Sequence, residues 1–122
     1  VRTAREHGCE ELVLLHCVSS YPAPDEQSNL RTVPHLADAF GVVGGLSDHT
    51  AGSAVAVAAV ALGAAVVEKH FTLRRADGGP DAAFSLEPDE FSALVTDCKR
   101  AWTALGAVSY SVQGCEEGSA VF

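Results

Sequence analysis

Three short apolar runs, each running into polar residues at its end and each followed by a stretch of helical spacing, constrain this chain most. They are residues 11–17 (ELVLLHC), 42–46 (VVGGL) and 65–71 (AVVEKHF). Nearly continuous apolar runs of strand length are typical of parallel strands buried on both faces. Between the first two, residues 29–40 place Leu30, Val33, Leu36, Ala37 and Phe40 at helical spacing, and Gly41 ends the pattern. Pro34 predicts that the helix proper starts at that residue. Residues 54–62 form an Ala-rich helix, with Thr50, Gly52 and Ser53 as capping candidates and Gly63 closing it. After the third run comes a Gly/Asp-rich loop, 74–84. Ser85 or Glu87 then caps a helix with Pro88, Asp89 and Glu90 in its first turn. Phe91, Leu94, Val95, Cys98, Trp102 and Leu105 share one face of that helix, Trp102 reads as core, and Gly106 is the stop. Residues 1–8 read as the end of a helix halted by Gly8.

Strict alternation of helix and strand with short loops predicts an α/β fold with parallel strands and right-handed crossovers. Three parallel strands make a poor sheet alone, with edges open to association. They fit the last three βα units of a TIM (β/α)8 barrel, a fold of about 250 residues. The chain has 122 residues, no methionine and Val1 at its start, so the expectation is a piece of a longer protein. Residues 1–106 form the barrel portion, and the polar, irregular stretch 107–122 reads as a linker.

Charge narrows the partners. With 8 basic and 16 acidic residues the net charge is −8, which lacks the basic footprint that nucleic acid or an anionic membrane requires. The longest apolar run, 54–67, is interrupted by Gly63 and too short to span a bilayer. No signal peptide is visible in residues 1–8. Cys9, Cys17, Cys98 and Cys115 include no close C-x-x-C pair, so a reduced, cytoplasmic chain is expected. Cys17 reads as a buried thiol.

Ligand sites in barrels lie at the carboxyl ends of the strands. Those ends read Ser19-Ser20-Tyr21, Ser47-Asp48-His49 and Glu68-Lys69-His70. Side chains alternate across a strand, so Ser47 shares a face with His49, and Glu68 with His70. Neighbouring strands lie about 4.8 Å apart, so two inward-pointing imidazoles would converge and supply half of a divalent-metal site. A hydrogen-bonded structural role for each is the alternative. Asp48 and Lys69 have the opposite parity and are expected to orient neighbours or pair with the surrounding helices. Glu68 is either a partner of the site or the mate of Lys69. Asp81 is a site residue or a turn residue of Gly78-Gly79-Pro80-Asp81. Tyr21 lies at the site or packs on the next helix. His16 reads as a satisfied core histidine, and His7 and His35 as surface residues. Gly44-Gly45 lacks the spacing of a phosphate loop.

Leu15-His16-Cys17 with Tyr21-Pro22-Ala23-Pro24, then Gly45-Leu46-Ser47-Asp48-His49-Thr50, Glu68-Lys69-His70-Phe71-Thr72, and Gly79-Pro80-Asp81 through Ser85-Leu86-Glu87-Pro88, resemble the sialic acid synthase family. Its members are N-acetylneuraminate synthases and relatives that make other nonulosonic acids or spore-coat polysaccharide precursors. The resemblance implies a TIM-barrel transferase that condenses phosphoenolpyruvate with an N-acetylated hexose such as N-acetylmannosamine, assisted by Mn²⁺, with Mg²⁺ or Co²⁺ as alternatives. Carried over by motif, His49 and His70 would hold the metal. Ser19 and Ser47 would contact phosphoenolpyruvate, and Tyr21 and Asp81 the sugar. Tyr21, Glu68 and Asp81 are the candidate catalytic side chains.

Two departures bear on the sugar. Ser19 stands where neuraminate synthases often carry Asn, and Ala82 follows Asp81 where they often carry His. The pattern is closer to the pseudaminate, legionaminate and spore-coat branches. The resemblance also implies a catalytic glutamate and lysines on earlier strands, a homodimer, and an antifreeze-like C-terminal domain approached by residues 115–122. Without those strands the 122-residue chain is expected to be inactive alone. The competing readings are a metal-dependent barrel hydrolase and a non-catalytic truncated paralogue.

Overall fold

The computed structural model describes residues 1–118. The element order is α1 (Arg2–Glu6), β1 (Val13–Cys17), α2 (Thr32–Phe40), β2 (Val43–Asp48), α3 (Ala54–Ala61), β3 (Val66–Lys69) and α4 (Pro88–Leu105), with short 3-10 turns in the loops. The strands form one parallel sheet in the order β1-β2-β3.

Most boundaries follow the expected breakers. Gly41 takes the left-handed conformation (φ 59°) that ends α2, and Gly8 (φ 83°) follows α1. Glu87 caps α4 in a capping box with Glu90, Pro88 opening the helix. Three details differ. Helix α2 begins at Thr32, so Pro34 sits within its first turn, where its missing N–H has no helical partner to lose. Strand β2 runs on to Asp48, because parallel pairing with β3 continues through its polar end. Ser53 precedes α3 but makes no side-chain cap bond, and Thr50 is turned instead to Asp48.

Among the described residues, α2, α3 and α4 pack on one face of the sheet. Helix α2 lies on β1 and β2, α3 on β2, and α4 on α3. Val33, Leu46, Val55, Ala59 and Ala64 form one buried cluster, and Ala56, Leu86 and Leu94 a second. Helix α3 joins both, because it is apolar all round and has neighbours on two sides. Burying a side chain such as Val33, which is fully enclosed, stabilises by about 1.5–3 kcal/mol.

The other face carries Val13, Leu15 and Cys17 from β1, Val43, Gly45 and Ser47 from β2, and Val66 and Glu68 from β3. Among the described residues nothing covers it: Val13 is 48% exposed, Val43 46% and Val66 39%. This is the face that a closed barrel turns inward, and it explains why the strands read as continuously apolar. Two expectations fail on this account. Cys17 is exposed, because it lies on the open face and not beneath the helices. Trp102 is 70% exposed, because α4 meets α3 along Leu94 and Cys98 and its last turns overhang the core.

His16 is half-buried, and its Nε2 stands 2.7 Å from the carbonyl oxygen of Ser28, as a satisfied histidine should. His7 and His35 are exposed. All four cysteines are free. Residues 107–113 have no regular structure, and a 3-10 turn spans Gly114–Glu116. Of the expected approach to a further domain, residues 119–122 lie outside the described residues. Among the described residues no helix is long and apolar enough to cross a membrane.

Candidate active site

The strand ends bring the expected polar residues together in layers. Ser47 and Glu68 are direct cross-strand partners, and Ser47 Oγ donates to Glu68 Oε1 over 2.7 Å. Glu68 is therefore not the mate of Lys69. One layer beyond, His49 and His70 converge, their ring centroids 5.2 Å apart.

Each histidine is pinned through its backbone by a loop. The carbonyl of His49 accepts from the N–H of Ala23 (2.8 Å), tying the loop after β1 to the end of β2. The carbonyl of His70 accepts from the N–H of Leu86 (2.9 Å), tying the end of β3 to the segment before α4. The His49 ring is also oriented. Its Nδ1 lies 2.9 Å from the carbonyl oxygen of Val18. A carbonyl only accepts, so Nδ1 carries the proton and the Nε2 lone pair is left for a ligand.

Tyr21 stacks on this pair rather than on the following helix. Its ring centroid is 4.3 Å from that of His49 and 5.6 Å from that of His70. The Tyr21-Pro22 peptide is cis. Asp81 comes from the loop after β3, with Oδ2 3.7 Å from His70 Nδ1, beyond hydrogen-bond length but within electrostatic reach. Ser19 stays at the exposed rim, its Oγ 3.7 Å from Cys17 Sγ, and makes no hydrogen bond to the histidines.

Phe84 joins the site with no motif in the sequence to mark it. Its ring stacks on both Tyr21 and His70, at 5.1 Å from each. A lone large apolar residue within a Gly/Asp-rich loop was the available signal. Cys17, expected from the sequence to be a buried thiol, also reaches the site, its Sγ 3.8 Å from His49 Nδ1. Tyr21 and Phe84 also line a cleft of about 490 Å³ that draws on all three loops, with Gly52, Ser53, Arg75 and Ala93. Neither histidine lines it: His49 is buried, and the Tyr21 and Phe84 rings that line the cleft stack on the pair.

The loop that carries Asp81 and Phe84 is clamped to α4. The N–H of Arg75 donates to Glu87 Oε1 (2.8 Å), and its guanidinium donates to the Ser85 carbonyl and to both carboxylate oxygens of Glu90. The Arg75 hydrogen bonds, helped by the N–H of Glu87, hold the Glu90 carboxyl well below its ordinary value, at about 2.

Asp48 and Lys69 point away from the histidines, beneath the helices, and pair with each other rather than with the helices. Lys69 Nζ donates to Asp48 Oδ2 over 2.8 Å and to the Thr50 carbonyl over 2.6 Å.

The donor set suits a divalent metal of borderline softness. Two imidazoles converge, one has its tautomer set, and carboxylates flank them at Glu68 and Asp81. Among the described residues no three or more His, Cys, Asp or Glu side chains are grouped so as to hold a metal ion together, so neither carboxylate joins the two histidines as a third ligand. A metal held by His49 and His70 would thus keep most of its coordination positions open.

Parallel strands with helices on one face, and polar side chains gathered at the carboxyl ends, define part of an α/β barrel with its site at the C-terminal rim. The chain belongs to the NeuB family, whose family model matches residues 1–110. It is 47% identical over 97 residues to the N,N'-diacetyllegionaminic acid synthase of Campylobacter jejuni, covering 80% of this chain and 29% of that protein. It is 45% identical over 102 residues to the pseudaminic acid synthase of the same species, covering 84% of this chain and 30% of the relative. The crystal structure of N-acetylneuraminic acid (sialic acid) synthetase from Leptospira borgpetersenii, in complex with citrate, superposes with a TM-score of 0.76 at 38% identity, over 88% of this chain and 38% of that one. The chain spans under a third of the length of the two sequence relatives.

Proposed function

We propose that this chain forms the metal-binding part of the active site of a nonulosonic acid synthase, a transferase that joins phosphoenolpyruvate to an N-acetylated hexose. The observation that carries the reading is the convergence of His49 and His70 one layer above the Ser47–Glu68 pair, with Tyr21 stacked against both rings. His49 and His70 would hold a divalent ion, Mn²⁺ in first place and Mg²⁺ or Co²⁺ as alternatives. That ion supplies Lewis acidity toward the open-chain aldehyde of the sugar.

The chain's own residues do the rest of the work available to it. In the reaction the enol carbon of phosphoenolpyruvate bonds to the aldehyde carbon. The aldehyde oxygen takes up a proton and becomes a hydroxyl, water adds at the carbon that carries the phosphate ester, and the C–O bond to phosphate breaks as that carbon's new hydroxyl loses its proton to give the 2-keto acid. Ser47 binds phosphoenolpyruvate while its hydroxyl holds one oxygen of Glu68. Glu68 keeps a second carboxylate oxygen to accept the proton of the added water. Tyr21 and Asp81 bind and orient the sugar, and Phe84 shields the histidine pair from water on its loop side. Ser19 at the rim adds a contact to phosphoenolpyruvate. The sugar is of the legionaminate, pseudaminate or spore-coat type, which rests on Ser19 and on the missing histidine after Asp81. In the assembled enzyme the partners are these two substrates and a second copy of the protein, acting in the cytoplasm. The 122-residue chain on its own is inactive, since catalytic groups of the resembled family lie on strands it lacks.

Two measurements test this. The chain should bind Mn²⁺ saturably by electron paramagnetic resonance, and His49→Ala and His70→Ala should each abolish binding. Grafted in place of the matching segment of the Campylobacter jejuni legionaminic acid synthase, it should support phosphate release that requires both phosphoenolpyruvate and sugar. Metal binding untouched by either histidine substitution would sink the metal site, and a folded but inactive chimera would sink the synthase reading. Turnover by the chain alone would overturn its expected inactivity.

A further inference from the structure

We infer that Asp48 and Lys69 are positioning residues, whose buried ion pair, closed by Thr50, sets the spacing of His49 and His70. The inference rests on reading the two histidines as a divalent-metal site. Asp48 and Lys69 are the last residues of β2 and β3, and they are register partners. The sheet ladder stops there, so strand pairing does not hold the next residues, His49 and His70, in place. Beyond it, the loop bonds from Ala23 and Leu86 hold each histidine's backbone, and the ion pair ties the two strand ends to each other.

Its geometry is closed on every side. Asp48 Oδ2 accepts from Lys69 Nζ (2.8 Å), and Oδ1 accepts from the Thr50 N–H (2.9 Å) and the Thr50 hydroxyl (2.7 Å). Lys69 Nζ also donates to the Thr50 carbonyl (2.6 Å). Both charged side chains are almost wholly enclosed, at 1% and 0% exposure. The carboxylate bond to the N–H two residues on is an Asx turn, and residue 49 is the residue it encloses. Lys69 then bridges that turn to the end of the adjacent strand. His49 and His70 leave the opposite face of the same two strands, so shear or splay of the strand ends would change their separation directly.

Buried ion pairs are weak devices for stability, since apolar residues of similar volume often do as well. What this one supplies is direction. It consists of four hydrogen bonds of defined geometry, placed behind two rings that must meet at one point.

The test uses the 122-residue chain with Asp48→Asn, Lys69→Met, Lys69→Arg, and Val33→Ala as a control that weakens the core away from the site. Three quantities are read below the unfolding midpoint of every variant. They are the Mn²⁺ dissociation constant, the nuclear Overhauser contacts between the His49 and His70 rings in metal-free protein, and the His49 tautomer from long-range proton–nitrogen correlation. Asp48→Asn and Lys69→Met should weaken Mn²⁺ binding about 10–100-fold, the range for groups that orient metal ligands. They should also erase the ring-to-ring contacts. Lys69→Arg should recover most of both. Val33→Ala should lower the unfolding midpoint and leave all three readouts alone. If Asp48→Asn and Lys69→Met keep the native ring contacts, or if Val33→Ala disturbs them equally, the positioning role is refuted. Should neither ion-pair variant fold, Thr50→Val carries the same comparison: it keeps the ion pair and removes one bond from Asp48, so weakened ring contacts support the role and unchanged ones refute it. Failure of the unsubstituted chain to bind Mn²⁺ would overturn the metal reading alone, and the metal-free ring contacts would still decide the positioning role.

Discussion

Ser47 and Glu68 face each other across β2 and β3, and a 2.7 Å hydrogen bond from the serine hydroxyl holds one oxygen of the carboxylate. Ser47 is 7% exposed while Glu68 is open to the uncovered face, so the bond is anchored from its serine side. The free carboxylate oxygen is left on the face where the histidines converge.

This arrangement predicts different penalties for the two residues. In the chimera with the legionaminic acid synthase, Glu68→Gln should lower kcat by about 10²–10⁴-fold, the range for loss of a positioned proton acceptor. Ser47→Ala keeps the carboxylate and should cost less in kcat but raise KM for phosphoenolpyruvate. Steady-state phosphate release measures both. A Glu68→Gln chimera with unchanged kcat would remove Glu68 from the chemistry.

Gly45 is a packing requirement. A Cβ there would stand 2.5 Å from Leu15 Cδ2 and 2.5 Å from the Val66 carbonyl oxygen. The leucine can turn aside, but the Val66 carbonyl belongs to the paired strand and cannot. Gly45→Ala should destabilise the chain by about 1–3 kcal/mol, as overpacking does. Urea unfolding reads this as a lower midpoint, and an unchanged midpoint would show that the strands part without penalty.

Leu94 and Trp102 share the apolar face of α4, yet only Leu94 reaches the core, at 3% exposure against 70%. Leu94→Ala should cost about 2–5 kcal/mol through a cavity beside Ala56 and Leu86. Trp102→Ala should stay within about 0.5 kcal/mol, as surface substitutions do. Equal losses for the two would contradict the packing of α4 on α3.

The Arg75–Glu90 contact gives the loop over the site an acid limit. Bonding to Arg75 lowers the Glu90 carboxyl from 4.5 to about 2 in the folded chain. A depressed folded value means that the stabilising contribution is complete above about 4.5 and is lost as pH falls through about 2. Amide exchange across residues 75–87 should therefore quicken over that acid range. In Glu90→Gln the loop should exchange faster at neutral pH and lose this acid dependence. An unchanged acid profile in Glu90→Gln would assign the dependence to another group.

Local periodicity determined much of this protein. The alternation of apolar runs with helical spacing, the breakers at Gly41 and Gly106 and the Glu87–Glu90 cap of α4 follow from residues a few positions apart. So does the parity that puts Ser47 with His49 and Glu68 with His70. The tertiary structure decided what depends on how separate segments are placed against one another. Register alone makes Ser47 meet Glu68 and Asp48 meet Lys69, because a shift of one residue would send each side chain to the other face. Which face the helices cover set the rest. Asp48 and Lys69 became a buried pair, Cys17 was left open beside His49, and α4 stopped short of burying Trp102. Phe84 meets His70 from a loop that Arg75 clamps to α4. Helix and strand patterns are local and can be read along the chain, whereas the choice of facing partners is a property of the packed sheet.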